Sequence, residues 1–233
     1  MLGLMSSIDE FSFKSKIGRM ITLLTTFASR LSGFLTLAFM LAVLSGCGAK
    51  TIVLEGDYPS PLVGKLPLVL GVYFDPSLQD FTYIETNENS GKDQYIISSG
   101  ETQQLMFQTL LPSLFNQVVE LESLENVPGD YPEIDAVFVP VIDDFQLGLP
   151  QKTRLNSYEI WIKYNMRLSE PDGTNIADWV RTAYGKAPKE LSSANAINQA
   201  ANNALRDLAA SMALGFENVP DIQDWLSARG YIE

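Results

Sequence analysis

The sequence predicts an α/β fold: a two-layer sandwich in which a mixed, mostly antiparallel sheet carries two main helices on one face. Three observations point there. Residues 158–168 alternate without a break, with Tyr158, Ile160, Ile162, Tyr164, Met166 and Leu168 on one side and Glu159, Trp161, Lys163, Asn165 and Arg167 on the other. That is the period of a strand with one wet face. Two further stretches carry the helical period: Phe107, Leu110, Leu111, Leu114, Phe115, Val118 and Leu121 make one apolar stripe, and Ile197, Ala201, Leu205, Leu208 and Met212 another. Both stripes bury if the helices lie on the same side of the sheet, which leaves its other face partly wet.

The elements follow in order. Residues 48–65 hold two prolines and three glycines with little periodicity, and read as a tether. Residues 66–74 (LPLVLGVYF) are apolar on both faces, as in a central strand covered on both sides. Residues 81–85 and 94–97 fit the two arms of a hairpin. Ser98 and Glu101 have capping-box spacing ahead of the first helix, and Pro112 inside it should kink or split it. Residues 136–142 (AVFVPVI) form a strand whose Pro140 demands an edge position or a bulge, with residues 145–149 continuing it.

After residues 158–168, Glu170-Pro171-Asp172-Gly173 is a turn: proline presets one backbone angle and glycine accepts a positive one. Residues 176–184 return as the hairpin partner. Ser192 or Ser193 caps the second helix, Gly215 is placed to end it, and a short final helix over 221–229 packs Trp225 and Leu226.

The N-terminal part has a different character. Residues 1–46 hold two acids and four bases, so of the formal charge of −12 the chain from Cys47 onward carries −14. Residues 31–46 (LSGFLTLAFMLAVLSG) are sixteen uncharged residues behind Arg30. As a helix they reach roughly 24 Å, short of the roughly 30 Å of a bilayer core. A basic flank, a short apolar run and small residues are the order of a secretory signal. This predicts a signal peptide over 1–46, starting at Met1 or Met20, a tether over 47–65, and one domain over 66–233.

The run ends in Leu44-Ser45-Gly46-Cys47, and Cys47 is the only cysteine. These four residues resemble a lipobox, the recognition sequence of bacterial lipoproteins. The resemblance implies cleavage before Cys47, with Leu44, Ser45 and Gly46 read by the peptidase, and a covalent lipid on the Cys47 sulfur. Two acyl chains anchor stably where one is marginal. Among lipoproteins of this kind the residue after the cysteine helps decide the destination; with Gly48 there rather than Asp, the resemblance implies the periplasmic face of the outer membrane over that of the inner membrane.

The charge also excludes partners. A surface at −14 disfavours nucleic acid, whose binding rests on many Lys and Arg contacts to phosphate, and it disfavours adhesion to anionic lipid through bare charge. The chain has no histidine, and acylation consumes its one thiol, so Ser–His–Asp and Cys–His chemistry is unavailable. A carboxylate pair drawn from Glu133, Asp135, Asp143 and Asp144, or a Ser–Lys pair, would be the remaining catalytic options. No motif surrounds either, and Asp143 and Asp144 could share one site only at a bulge or turn. The expectation is no catalytic residue, no metal and no cofactor beyond the lipid.

Trp161 and Trp179 stand apart. Both fall on the nominally wet register of their strands, beside Lys163, Arg167 and Arg181, and could meet on one exposed face. Aromatic residues beside arginine mark protein interfaces, so these five are the candidate partner-binding residues.

The order of elements over residues 66–216 resembles YajG-like lipoproteins and the auxiliary lipoproteins of envelope transport systems. That resemblance implies a non-enzymatic accessory or scaffold protein with an envelope partner. A carrier for a lipid or other hydrophobic ligand, held between sheet and helices, is the alternative; a carboxylate-dependent hydrolase is the third reading.

Overall fold

Strand β2 (Leu66–Val72) organises the molecule because both of its faces are apolar. Leu66, Leu68, Leu70 and Val72 enter the main core, while Val69 packs against a smaller cluster of Leu121, Val127, Ile134 and Val137. This is the expected strand covered on both sides. The computed structural model describes residues 49–86 and 94–232. The proposed signal peptide with its Met1 or Met20 start, Leu44, Ser45, Gly46 and Cys47 lie outside the described residues.

β2 is second in a five-stranded sheet ordered β5-β2-β6-β7-β8, formed with β5 (Phe115–Glu120), β6 (Ala136–Gly148), β7 (Ser157–Ser169) and β8 (Asn175–Pro188). β5, β2 and β6 run parallel, whereas β6, β7 and β8 pair antiparallel over most of their thirteen or fourteen residues. Antiparallel pairing therefore dominates by length. A second sheet of three strands joins β1 (Lys50–Val53), β4 (Gln94–Ser98) and β3 (Thr82–Thr86), the last two being the expected hairpin.

The long helices, α2 (Gly100–Leu114) and α5 (Ser193–Gly215), pack on one face of the large sheet. Phe107 of α2 lies edge-on to Phe138 of β6 and Tyr164 of β7, with ring centroids 5.9 Å apart in each case. The five predicted stripe residues of α5 are all buried. Short helices α1 (Pro76–Gln79), α3 (Val127–Asp130) and α4 (Pro150–Thr153) serve as connections, and α6 (Pro220–Ala228) closes the chain. Among the described residues no helix is long and apolar enough to cross a membrane. The architecture is an α/β sandwich.

Three local expectations are corrected. Residues 50–58 are part of the fold and not tether: β1 pairs with β4, and Ile52, Leu54 and Tyr58 are buried. Ser99, not Ser98, precedes α2, because Ser98 is the last residue of β4; the Ser99 hydroxyl accepts from Gln103 Nε2 at 2.7 Å. The first helix stops at Leu114 instead of running to Leu121. Pro112 cannot donate in the last turn, and the β-branched Val118 and Val119 that follow pair with β2 as strand β5.

Pro140 obeys its predicted constraint. The Phe138 carbonyl accepts from Tyr73 N–H at 3.0 Å, and two residues later on the same edge Pro140 has no N–H to offer. The ladder to β2 ends there, so Pro140 occupies a local edge. A bulge at Asp143 follows, between the Ile142 and Asp144 pairings.

Candidate binding face

With the helices on one side, the described residues leave the other face of β6, β7 and β8 uncovered. Its composition follows from register. Trp161, Lys163, Asn165 and Arg167 of β7 lie opposite Tyr184, Thr182, Val180 and Asp178 of β8, and opposite Gln146, Asp144, Val141 and Val139 of β6. Val180 is 49% exposed and Tyr184 37% exposed.

One half of this face is a groove of about 700 Å³. Val137, Val139 and Val141 supply an apolar floor; residues 124–128 form one wall and the turn over 170–173 the other. The Arg167 Nε–Asp178 Oδ1 ion pair, at 3.0 Å, edges the floor. Gly173 takes the positive φ the turn requires, 88°. The turn is tied down through Glu170, which accepts from Trp225 Nε1 at 2.7 Å and from the Arg229 guanidinium at 2.6 and 2.8 Å.

The other half is aromatic and charged. Trp161 stacks on Tyr184 with centroids 4.9 Å apart. The Tyr184 hydroxyl donates to the buried Glu159 carboxylate at 3.0 Å. Partial desolvation, then this carboxylate, hold the phenol above its usual range. At the bulge Lys163 Nζ meets Asp143 Oδ2 at 2.5 Å, which raises the lysine above its ordinary value. Asp144 accepts from Gln146 Nε2 at 2.6 Å. Asp143 and Asp144 thus sit on a bulge, as one shared site would require, but Asp143 is spent on Lys163. Asp135 accepts from Val69 N–H at 2.8 Å and from the Tyr231 hydroxyl at 3.3 Å, and so fastens chain segments together.

Trp161, Lys163 and Arg167 are brought together on the open face; Trp179 and Arg181 are not. Trp179 packs between Phe138 and Phe216, with centroids 6.1 and 5.8 Å away, and Arg181 donates to the Gly215 carbonyl at 3.3 Å. The cause is one extra residue. Ser169 pairs with Asn175, but Leu168 pairs with Ala177, which leaves Ile176 bulged. An unbroken hairpin would carry Trp179 to the open face, and the slip turns it to the helix side. The slip also sends Ala177, Ala183, Gly185 and Ala187, all buried, under the helices.

Sequence reasoning missed the valine floor, because residues 136–142 are apolar on both faces and give no sign of which side stays open. It also missed the partnership of Trp161 with Tyr184, which the slip creates.

No family model matches the chain, and no curated protein matches it. Solved structures do resemble it. One is a Xanthomonas campestris protein of the DUF330 family, at 12% identity and a TM-score of 0.45, covering 76% of this chain and 97% of the other. A minor lipoprotein from Acinetobacter baumannii shares 14% identity at a TM-score of 0.37, over 68% of this chain and 94% of its own. Lipoprotein B from Nitrosomonas europaea shares 14% at 0.36, over 68% and 92%. All three are bacterial, and two are lipoproteins by name.

Proposed function

We propose that this chain is a non-catalytic bacterial lipoprotein. Residues 1–46 are its signal peptide, acyl chains on Cys47 hold it at the periplasmic face of the outer membrane, and its open sheet face docks a protein of an envelope assembly or transport system. Leu44-Ser45-Gly46-Cys47 supports the anchor. The observation that carries the docking role is the uncovered face of β6–β8, where the valine-floored groove adjoins the Trp161–Tyr184 pair. Aromatic side chains beside a groove with a charged rim suit a protein interface.

Crosslinking and pull-down of the lipidated protein from membranes test it. Trp161→Ala and Val141→Asp should each lose a partner that the wild-type chain retains, with folding intact. Wild-type-like recovery by both variants would remove the reading.

The apolar groove also supports a second reading, a carrier for a lipid or other hydrophobic ligand. The space between helices and sheet is filled by Phe107, Phe138 and Tyr164, all at 0% exposure, so the ligand would lie in the groove instead. A volume near 700 Å³ falls within the usual range of small-molecule sites. Native mass spectrometry after gentle extraction distinguishes them: a bound lipid that Val141→Asp releases supports the carrier.

A further inference from the structure

We infer that the end of the domain bearing Lys50, Lys152, Arg154 and Lys189 is its membrane-facing surface, laid on the phosphate headgroups of an anionic bilayer. The inference rests on acylation of Cys47 and adds the orientation that acylation imposes. Only Gly48 and Ala49 lie between Cys47 and Lys50, the first residue of β1, which makes three residue steps. Fully extended they span at most about 10 Å. The chain beyond cannot lengthen this leash, because β1 is hydrogen-bonded to β4 and Tyr58 is buried against Thr102, 3.0 Å from its hydroxyl. A domain so tethered must present the start of β1 to the bilayer.

That end is where cations gather. Lys50 pairs with Tyr95 across the small sheet, and its ammonium lies 5.3 Å from the Tyr95 ring. Tyr95 is opposite Glu85, which the Lys152 ammonium neutralises; Lys152 also donates to the Thr86 carbonyl at 3.2 Å. Arg154 and Leu155 follow α4, both exposed, and Asn156 accepts from Lys189 Nζ at 2.8 Å. Among the described residues the acids here are Glu85, whose charge and that of Lys152 offset each other, the buried Glu159, and Glu190.

The opposite end, where β7 finishes and β8 begins, carries Glu122, Glu125, Asp130, Asp172, Asp221 and Asp224, all exposed. The thirteen residues of β7 separate the two ends by roughly 40 Å, several Debye lengths at physiological salt. The overall charge therefore does not decide what the basic end meets, and the disfavoured contact with anionic lipid becomes favourable locally. Exposed Leu155 and Leu191, at 49% and 37%, give the same surface apolar side chains for the headgroup region.

The full chain, expressed and processed in a bacterium, is reconstituted in vesicles of phosphatidylethanolamine with phosphatidylglycerol, or of phosphatidylcholine alone. A fluorophore is placed on Gln151→Cys at the basic end, or on Glu122→Cys at the acidic end, with a quencher on the lipid headgroups. Quenching several-fold stronger at 151 than at 122 on the anionic vesicles is expected. Raised salt, phosphatidylcholine and the pair Arg154→Glu/Lys189→Glu should each diminish it, while the protein still floats with the vesicles. Equal quenching at both positions, or quenching at 151 indifferent to salt and lipid, overturns the inference; the salt and lipid arms need no further variant to fold. Intact mass reads the anchor separately: an unacylated Cys47 in the floated protein overturns the anchor, whereas acylated protein without the bias overturns only the orientation.

Discussion

Gly185 of β8 lies directly beneath the Ala200 carbonyl of α5: a Cβ on the glycine would stand 2.1 Å from that oxygen and 2.3 Å from the Ala204 nitrogen. Helix and sheet meet here backbone to backbone, which only glycine on the strand and alanines on the helix allow. Beside this contact Asn203 Nδ2 donates to the Lys186 carbonyl at 3.0 Å and Asp207 accepts from Tyr184 N–H at 3.3 Å. The helix therefore also covers hydrogen-bonding groups that an edge strand would leave open.

Gly185→Ala is expected to destabilise the domain by about 3 kcal/mol, at the upper end of what overpacking costs, because the obstacle is backbone and cannot rotate away. For a domain of this size the loss lowers the Tm by roughly 6–12 °C. Chemical and thermal unfolding measure it, and a change under 1 kcal/mol would contradict the close approach.

The two strand tryptophans should behave oppositely. Trp179→Ala empties a site between Phe138 and Phe216 and should cost about 2–4 kcal/mol. Trp161→Ala removes a stack on Tyr184 at the surface and should cost about 1 kcal/mol or less. Urea titrations of both variants decide the matter, and equal losses would mean that Ile176 does not turn Trp179 inward.

That contrast also locates what the amino-acid order reveals. β7, the α5 stripe and the Glu170–Gly173 turn were legible because each depends on neighbours within a few residues. Pro140 was legible because a missing N–H restricts a strand wherever it lies. β1 was not, since its partner Tyr95 lies far along the chain and four residues carry no period. Nor was the end of α2: the spacing of Leu114, Phe115, Val118 and Leu121 suits a helix, and pairing of β5 with β2 outweighs it. At the open face, Trp161, Lys163 and Arg167 lie on the side to which alternation assigns them, but the side taken by Trp179 and Arg181 depended on a one-residue slip. Alternation carries parity only as far as the first bulge.

Glu170 holds one wall of the groove, so Glu170→Ala should do more to the groove than to the fold. Its carboxylate serves Trp225 and Arg229 together. Removing charge-assisted bonds at a partly exposed position should cost about 1–2 kcal/mol. Amide exchange within residues 170–174 should rise several-fold while exchange in β7 stays near the wild-type rate. Glu170→Gln, which can still accept from Trp225, should fall between the two. Unchanged exchange in the alanine variant would mean that the turn is held by its own bonds alone, from Gly173 N–H to the Glu170 carbonyl and from Thr174 N–H to Asp172 Oδ1, each 2.9 Å.

Alkaline pH offers the last test, through phenols. Tyr164 is wholly buried and donates its hydroxyl to Gln103, and burial holds its pKa well above the ordinary range. Burial, then the Glu85 carboxylate, push Tyr83 the same way. In the unfolded chain both ionise near pH 10. Below that pH their contribution is complete; above it the unfolded state sheds protons that the folded state keeps, and stability falls by about 1.4 kcal/mol per pH unit for each phenol. With no histidine in the chain, no side chain has its ordinary pKa between about pH 5 and 8, so stability should be level there. Tyr164→Phe leaves the Gln103 oxygen without its donor and should cost about 1–3 kcal/mol at neutral pH. The variant's stability should then decline less steeply above pH 10, so that the two profiles converge. Parallel profiles in urea titrations through that range would show that Tyr164 ionises alike in both states and that its burial is incomplete.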